Sequence, residues 1–205
     1  MDSHVHTEWS WDAADGSMER SCARAVELGL PAIAFTEHVD HTVWPVTSAM
    51  VEENGVGPRW PGPTGCSGHR RSRRWDTWSP SSAVETGFAT SGFLTGLELG
   101  EPHWHAEAVA RVLRAGRLDR VLGSLHCLPD GAGFAEPPGL VEHRDPDEVL
   151  RTYLAEVARL VTETDTFSVL AHIAYPVRQW PDRADGAPYS DAIATFHARG
   201  HPAAV

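Results

Sequence analysis

The sequence predicts an α/β fold in which a parallel sheet of about five recognisable strands forms an incomplete or distorted β/α barrel. Two observations predict it. Short apolar runs alternate with amphipathic stretches of helical spacing, the rhythm of parallel crossover units. Four of the runs are followed by, or end at, a His or Glu suited to chemistry, as expected where catalytic groups sit at the C-terminal ends of barrel strands.

The chain opens with Asp2-Ser3-His4-Val5-His6-Thr7. Side chains alternate faces along a strand, so His4 and His6 point the same way and Val5 points to the other side. Ser17 is an N-cap with Glu19 close behind, and Cys22 to Leu28 continue at helical spacing to Gly29. Leu30 to Thr36 reads as a buried strand running into Thr36-Glu37-His38. Later, Phe93 to Leu97 is a strand ending at Glu98, Trp104 to Ala115 a helix, and Arg120 to Leu125 a strand ending at His126. Asp147 to Thr164 is an amphipathic helix with Val149, Leu150, Tyr153, Leu154, Val157, Leu160 and Val161 on one side, and Ser168 to Ala171 is the strand before His172.

One stretch breaks the rhythm. From Ala34 through Phe93 there is no Leu or Ile, and Gly55 to Ser82 is crowded with Arg, Trp, Gly, Pro and Ser. Such a segment builds neither an apolar helix face nor a buried strand. It is expected as a loop-like insert at about residues 46–92, either a long lid with a basic patch or a segment read out of frame from a GC-rich gene, which the absence of Lys and the single Asn54 suggest. The tail after Asp185 loses the rhythm too. The expectation is a single domain over 1–205 with a truncated C-terminal part.

A net charge of -11 argues against nucleic acid and anionic membrane as partners, so an anionic substrate must be held locally, by metal or by one or two arginines. No apolar run approaches a membrane span and no signal-peptide pattern is present, and the expected location is cytoplasmic. Cys22, Cys66 and Cys127 have no C-x-x-C spacing, which disfavours a disulfide framework and a thiolate zinc site; Cys127 reads as a buried inert thiol.

Imidazoles with one or two carboxylates and no thiolates suit Zn, Mn or Fe in a catalytic site. Glu98 is the best candidate to bridge two ions, because it ends a strand between two clusters of His. Arg178 is a candidate bidentate phosphate grip, with a surface ion pair as the alternative; His41 reads as a solvated turn residue near the mouth of the site, and His103 and His105 diverge at a helix start.

Taken together, His4-x-His6 with Asp12, Thr36-Glu37-His38, Gly96-x-Glu98, Gly123-Ser124-Leu125-His126 and Ala171-His172-Ile173 resemble, in order, the motifs of the PHP (polymerase and histidinol phosphatase) family. The segments Leu94 to Gly100 and His172 to Arg178 are most similar to its histidinol-phosphatase-like branch. The resemblance implies a distorted (β/α)7 barrel with up to three divalent metals. His4, His6 and Glu98 would serve one ion, Glu98, His126 and His172 a second, and Asp12 with His38 a third; Glu98, His126 and Arg178 are the candidate catalytic residues. It also implies hydrolysis of a small phosphorylated substrate, L-histidinol phosphate, in histidine biosynthesis. Two departures are visible. Ser190-Asp191-Ala192 starts the late Asp-x-His motif but has Ile193 in place of His, and Ala174 stands where relatives carry Asp. The alternatives are a truncated or frameshifted fragment that binds metal without turnover, another PHP phosphoesterase, and a Glu-bridged amidohydrolase; the form bridged by a carboxylated Lys is excluded because the chain has no Lys.

Overall fold

The computed structural model describes residues 1–13, 15–45 and 92–179, without the side chains of residues 178 and 179. The insert expected at 46–92 (Gly92 excepted), the tail after 185 and the Ser190 to Ile193 segment lie outside the described residues.

Five strands form one parallel sheet: β1 (Asp2–Val5), β2 (Ala32–Val39), β3 (Gly92–Gly100), β4 (Arg120–Ser124) and β7 (Val169–Leu170), in that spatial order. The sheet is curled, half of a barrel, and helices follow its strands. Helix α1 (Met18–Glu27) joins β1 to β2, with the Ser17 side chain accepting from Arg20 N and the left-handed Gly29 just past its end. Helix α2 (Ala106–Leu113) joins β3 to β4, and α4 (Pro146–Glu163) precedes β7. The Asp145 carboxylate caps α4 by accepting from the backbone N–H groups of Asp147 and Glu148.

The strands run further than their apolar cores suggest. β2 continues through Glu37 and His38 to Val39, and β3 continues past Glu98 to Gly100, in unbroken register with Glu37 opposite Leu97, His38 opposite Glu98 and Val39 opposite Leu99. Alternation then sorts the two faces. Outward side chains bury against helices: Ile33 and Phe35 meet Cys22 and Ala25 of α1, and Val39, Leu97 and Leu99 meet Val109 of α2. Leu125 joins Val149, Leu150, Tyr153, Leu154, Val157 and Leu160 of α4 in the largest cluster. Inward side chains from the same strands are His38, Glu98 and Ser124, so the polar residues gather on one face.

Two elements have no counterpart in the sequence reading. A hairpin of β5 (Leu128–Asp130) and β6 (Gly133–Ala135) turns at the left-handed Gly131, and a short helix α3 (Pro137–Leu140) follows. The Asp130-Gly131 dipeptide is the turn signal that could have found the hairpin. Among the described residues no helix is long and apolar enough to cross a membrane.

Candidate metal centre

The fully buried carboxylate of Glu98 is the hub of the inner face. Its Oε2 lies 2.8 Å from His4 Nε2, 3.2 Å from His6 Nε2 and 3.7 Å from His38 Nδ1. Its Oε1 lies 2.7 Å from His172 Nε2 and 3.1 Å from His126 Nε2, and accepts the Ser124 hydroxyl. Asp12 Oδ2 stands 3.4 Å from His38 Nε2. Four trios of ligand atoms each close to within 4.8 Å: His4, His6 and Glu98; His6, Asp12 and His38; His38, Asp40 and His126; Glu98, His126 and His172. Each proposed metal ligand from the sequence is therefore on this face. Arg178 falls in the 3₁₀ turn Tyr175–Gln179 that follows His172, with its side chain outside the described residues.

Sequence reasoning missed Asp40. Its Oδ1 is 2.8 Å from His126 Nδ1, its Oδ2 is 3.2 Å from His38 Nδ1, and Trp11 Nε1 donates to Oδ2 at 2.8 Å. The strand was expected to stop near Thr36; because it runs on to Val39, His38 and Asp40 project from one face, as His4 and His6 do.

Buried polar residues brace the loops that carry the ligands. Glu37, fully buried, accepts Thr7 N at 3.1 Å, Thr7 Oγ1 at 2.5 Å and Ser10 Oγ at 2.6 Å, fixing the loop after β1. Since the Ser10 proton goes to Glu37, Ser10 Oγ accepts from His6 Nδ1 at 3.2 Å, which leaves the lone pair of His6 Nε2 facing Glu98. Glu101, also fully buried, accepts the backbone N–H of His126 at 2.6 Å and of Cys127 at 3.0 Å, and the Thr42 hydroxyl at 2.6 Å. Glu101 and His172 are the two non-glycine residues with left-handed backbone among those described, at φ 45° and 57°. Cys127 is buried against Trp44 and belongs to none of the four trios. His103 meets Glu156 of α4 at 2.9 Å, and His105 meets Thr42 at 2.9 Å, so both serve local packing.

Burial works against charge throughout, and the partners reverse it. Desolvation lowers His38 and His126, but Glu98 and Asp40 outweigh it and hold both imidazoles well above their usual range. Desolvation raises Glu98 and Asp40, and the surrounding imidazoles hold both carboxyls well below theirs. His172 follows burial and is lowered in spite of its bond to Glu98.

This arrangement fits divalent cations on its own chemistry. Five imidazole nitrogens stand 2.7 to 3.7 Å from one carboxylate. Five imidazolium charges cannot crowd a buried site, and in the neutral rings of His6 and His126, whose Nδ1 atoms donate to Ser10 and Asp40, the Nε2 lone pairs face the lone pairs of Glu98. Ions between them remove the conflict. Nitrogen and oxygen ligands about 2.0–2.2 Å from a tetrahedral ion stand roughly 3.3 Å apart, the spacing found here. Asp12 Oδ1 is buried without a hydrogen-bond partner on the protein, as suits an oxygen that faces a bound cation.

Histidinol phosphate phosphatase from Lactococcus lactis subsp. lactis Il1403, in a structure complexed with zinc, L-histidinol and phosphate, superposes with a TM-score of 0.62 at 20% identity, covering 88% of this chain. This chain spans 60% of that protein's length. The Listeria monocytogenes protein assigned as a histidinol phosphatase superposes with a TM-score of 0.60 at 14% identity, over 98% of this chain and 79% of its own. No curated protein matches the sequence. The PHP domain family matches residues 2–198, nearly the whole chain, and its distorted β/α barrel is the architecture that brings these strand ends together: the chain belongs to the PHP domain family.

Proposed function

We propose that the protein is a metal-dependent phosphomonoester hydrolase of the histidinol-phosphatase kind, with L-histidinol phosphate as its substrate. The observation that carries the reading is the convergence of His4, His6, His38, His126 and His172 on the buried carboxylate of Glu98. His4, His6 and Glu98 hold one divalent ion, Glu98, His126 and His172 a second, and Asp12, His38 and His6 a third, with Zn, Mn or Fe fitting the donor set. Bound there, the ions supply Lewis acidity toward a phosphoryl group and lower the pKa of water. The protein's part is placement. Glu98 ties two subsites together, and the Ser124 hydroxyl fixes its Oε1. Ser10 presents the Nε2 lone pair of His6, and Glu37 and Glu101 hold the loops after β1 and β4 rigid. Arg178, six residues beyond His172, is placed in sequence to grip the substrate phosphate. The choice of substrate is supported by the Lactococcus lactis structure, whose bound molecules are L-histidinol and phosphate.

The test is phosphate release from L-histidinol phosphate and from p-nitrophenyl phosphate by protein loaded with zinc or manganese. Glu98→Ala should lower the rate by about a hundredfold or more, while Arg159→Ala on the outer face of α4 leaves it unchanged. Bound metal without release of phosphate from either ester would establish the metal-binding, non-catalytic alternative instead.

A further inference from the structure

Asp40 is placed as no other carboxylate of the site is. It meets two imidazoles, one on β2 and one just past β4: His126 Nδ1 is hydrogen-bonded to Oδ1 at 2.8 Å, on the nitrogen turned away from Glu98, and His38 Nδ1 lies 3.2 Å from Oδ2 in a charge contact, with Nε2 on the far side of the ring. His126 thereby directs Nε2 at Glu98, 3.1 Å away, and His38 directs Nε2 at Asp12, 3.4 Å away. The Trp11 indole N–H, donating to Oδ2 at 2.8 Å, fixes the carboxylate from behind. Gly100 leaves room for it, since a Cβ there would stand 2.1 Å from Asp40 Oδ1 and 3.2 Å from His126 Nδ1. The side chain is only 1% exposed. Ionised, it is acceptor-only, so the Nδ1 of His126 must donate, and the lone pair for an ion is on Nε2.

We propose that Asp40 is a shared positioning residue that orients His38 and His126 together and so couples two of the metal subsites, the one built on Asp12 and His38 and the one built on Glu98, His126 and His172. The His4, His6 and Glu98 subsite has no contact with it and is spared. The inference rests on the metallohydrolase reading.

The test compares wild type, Asp40→Ala and Asp40→Asn by zinc content, by zinc affinity in competition with a chelator, and by the ligand-field spectrum of the cobalt-loaded protein. Asp40→Ala should weaken zinc about ten- to a hundredfold at two subsites, change the cobalt spectrum, and leave one subsite at wild-type affinity. A purely structural role would lower the melting temperature without this split. In a His38→Ala/His126→Ala background, Asp40→Ala should change zinc affinity less than about twofold, because nothing remains to be oriented; an undiminished effect would mean that Asp40 is itself a ligand and overturn the proposal. Should Asp40→Ala not fold, Trp11→Phe removes the indole donor to Asp40, together with part of the ring that packs on His38 and Trp44, and should weaken the same two subsites several-fold. Zinc affinities unchanged in both Asp40→Asn and Trp11→Phe would sink the role of Asp40 and leave the hydrolase reading standing. Zinc bound by the wild type without phosphatase activity would sink that reading and leave the Asp40 comparison intact.

Discussion

Glu136 is a carboxyl group that the fold keeps dry. It is 6% exposed, and burial pushes it up to about 7 against the Tyr175 hydroxyl and the field of His126. The folded state therefore holds this proton more tightly than the unfolded state, whose Glu titrates near 4.3. As pH rises from about 4.5 toward 7, the unfolded chain ionises first and stability falls, by roughly 3 kcal/mol in all, levelling off above 7. Glu136→Gln carries no such proton. In chelator-treated protein its stability to urea should gain roughly 2 to 3 kcal/mol on the wild type between pH 5 and pH 8. Parallel pH profiles for the two would show that the carboxyl ionises normally. At this scale the sequence announced some residues and hid others. His4 and His6 announce themselves because i and i+2 of a strand share a face. Asp40 has the same relation to His38, but it follows a polar stretch that masks the continuation of β2. Glu37 and Glu101 are silent in sequence, because a bracing carboxylate is defined by the backbone N–H groups it meets, and these come from distant loops.

Among the elements, α4 does more than cover the sheet. Its Tyr153, fully buried, donates its hydroxyl to the carbonyl of His172 at 2.5 Å, so the helix anchors the left-handed turn that aims a ligand at Glu98. Tyr153→Phe keeps the packing and removes one hydrogen bond. It should cost about 1–2 kcal/mol in denaturant unfolding and weaken zinc where His172 contributes, with the His4 and His6 subsite unaffected. Equal zinc affinity at every subsite would show that the turn holds its shape unaided. The apolar face of α4 was legible because seven buried positions repeat at helical spacing over 18 residues. The β5 and β6 hairpin was not, since three-residue strands offer too little alternation to read, and Pro137-Pro138-Gly139-Leu140 gives no sign that it closes a helical turn.

On the scale of the whole molecule, alternation of strands and helices was enough to foresee five parallel strands with polar residues at their ends. Distances could not be foreseen, because the gathering of the ligands depends on which strands are neighbours and in what register. That register ranks the kinds of sequence change the protein can bear. Moving β3 by one position against β2 would exchange Glu98 with Leu97 or Leu99, sending the hub carboxylate into the apolar layer beside α2 and an aliphatic side chain into the midst of the histidines. Replacing an outward leucine of β3 by isoleucine alters packing at one point, whereas adding one residue between Thr95 and Gly96 changes the parity of every residue behind it. The insertion should strip all bound zinc, and a single residue added in the turn at Gly116, where a Cβ meets nothing within 4 Å, should strip none. Retained zinc after the first insertion would mean that the strand can absorb an extra residue as a bulge. For this chain, residue count within β3 is a stricter requirement than residue identity along its outer face, and its descendants can drift by substitution where they cannot drift by length.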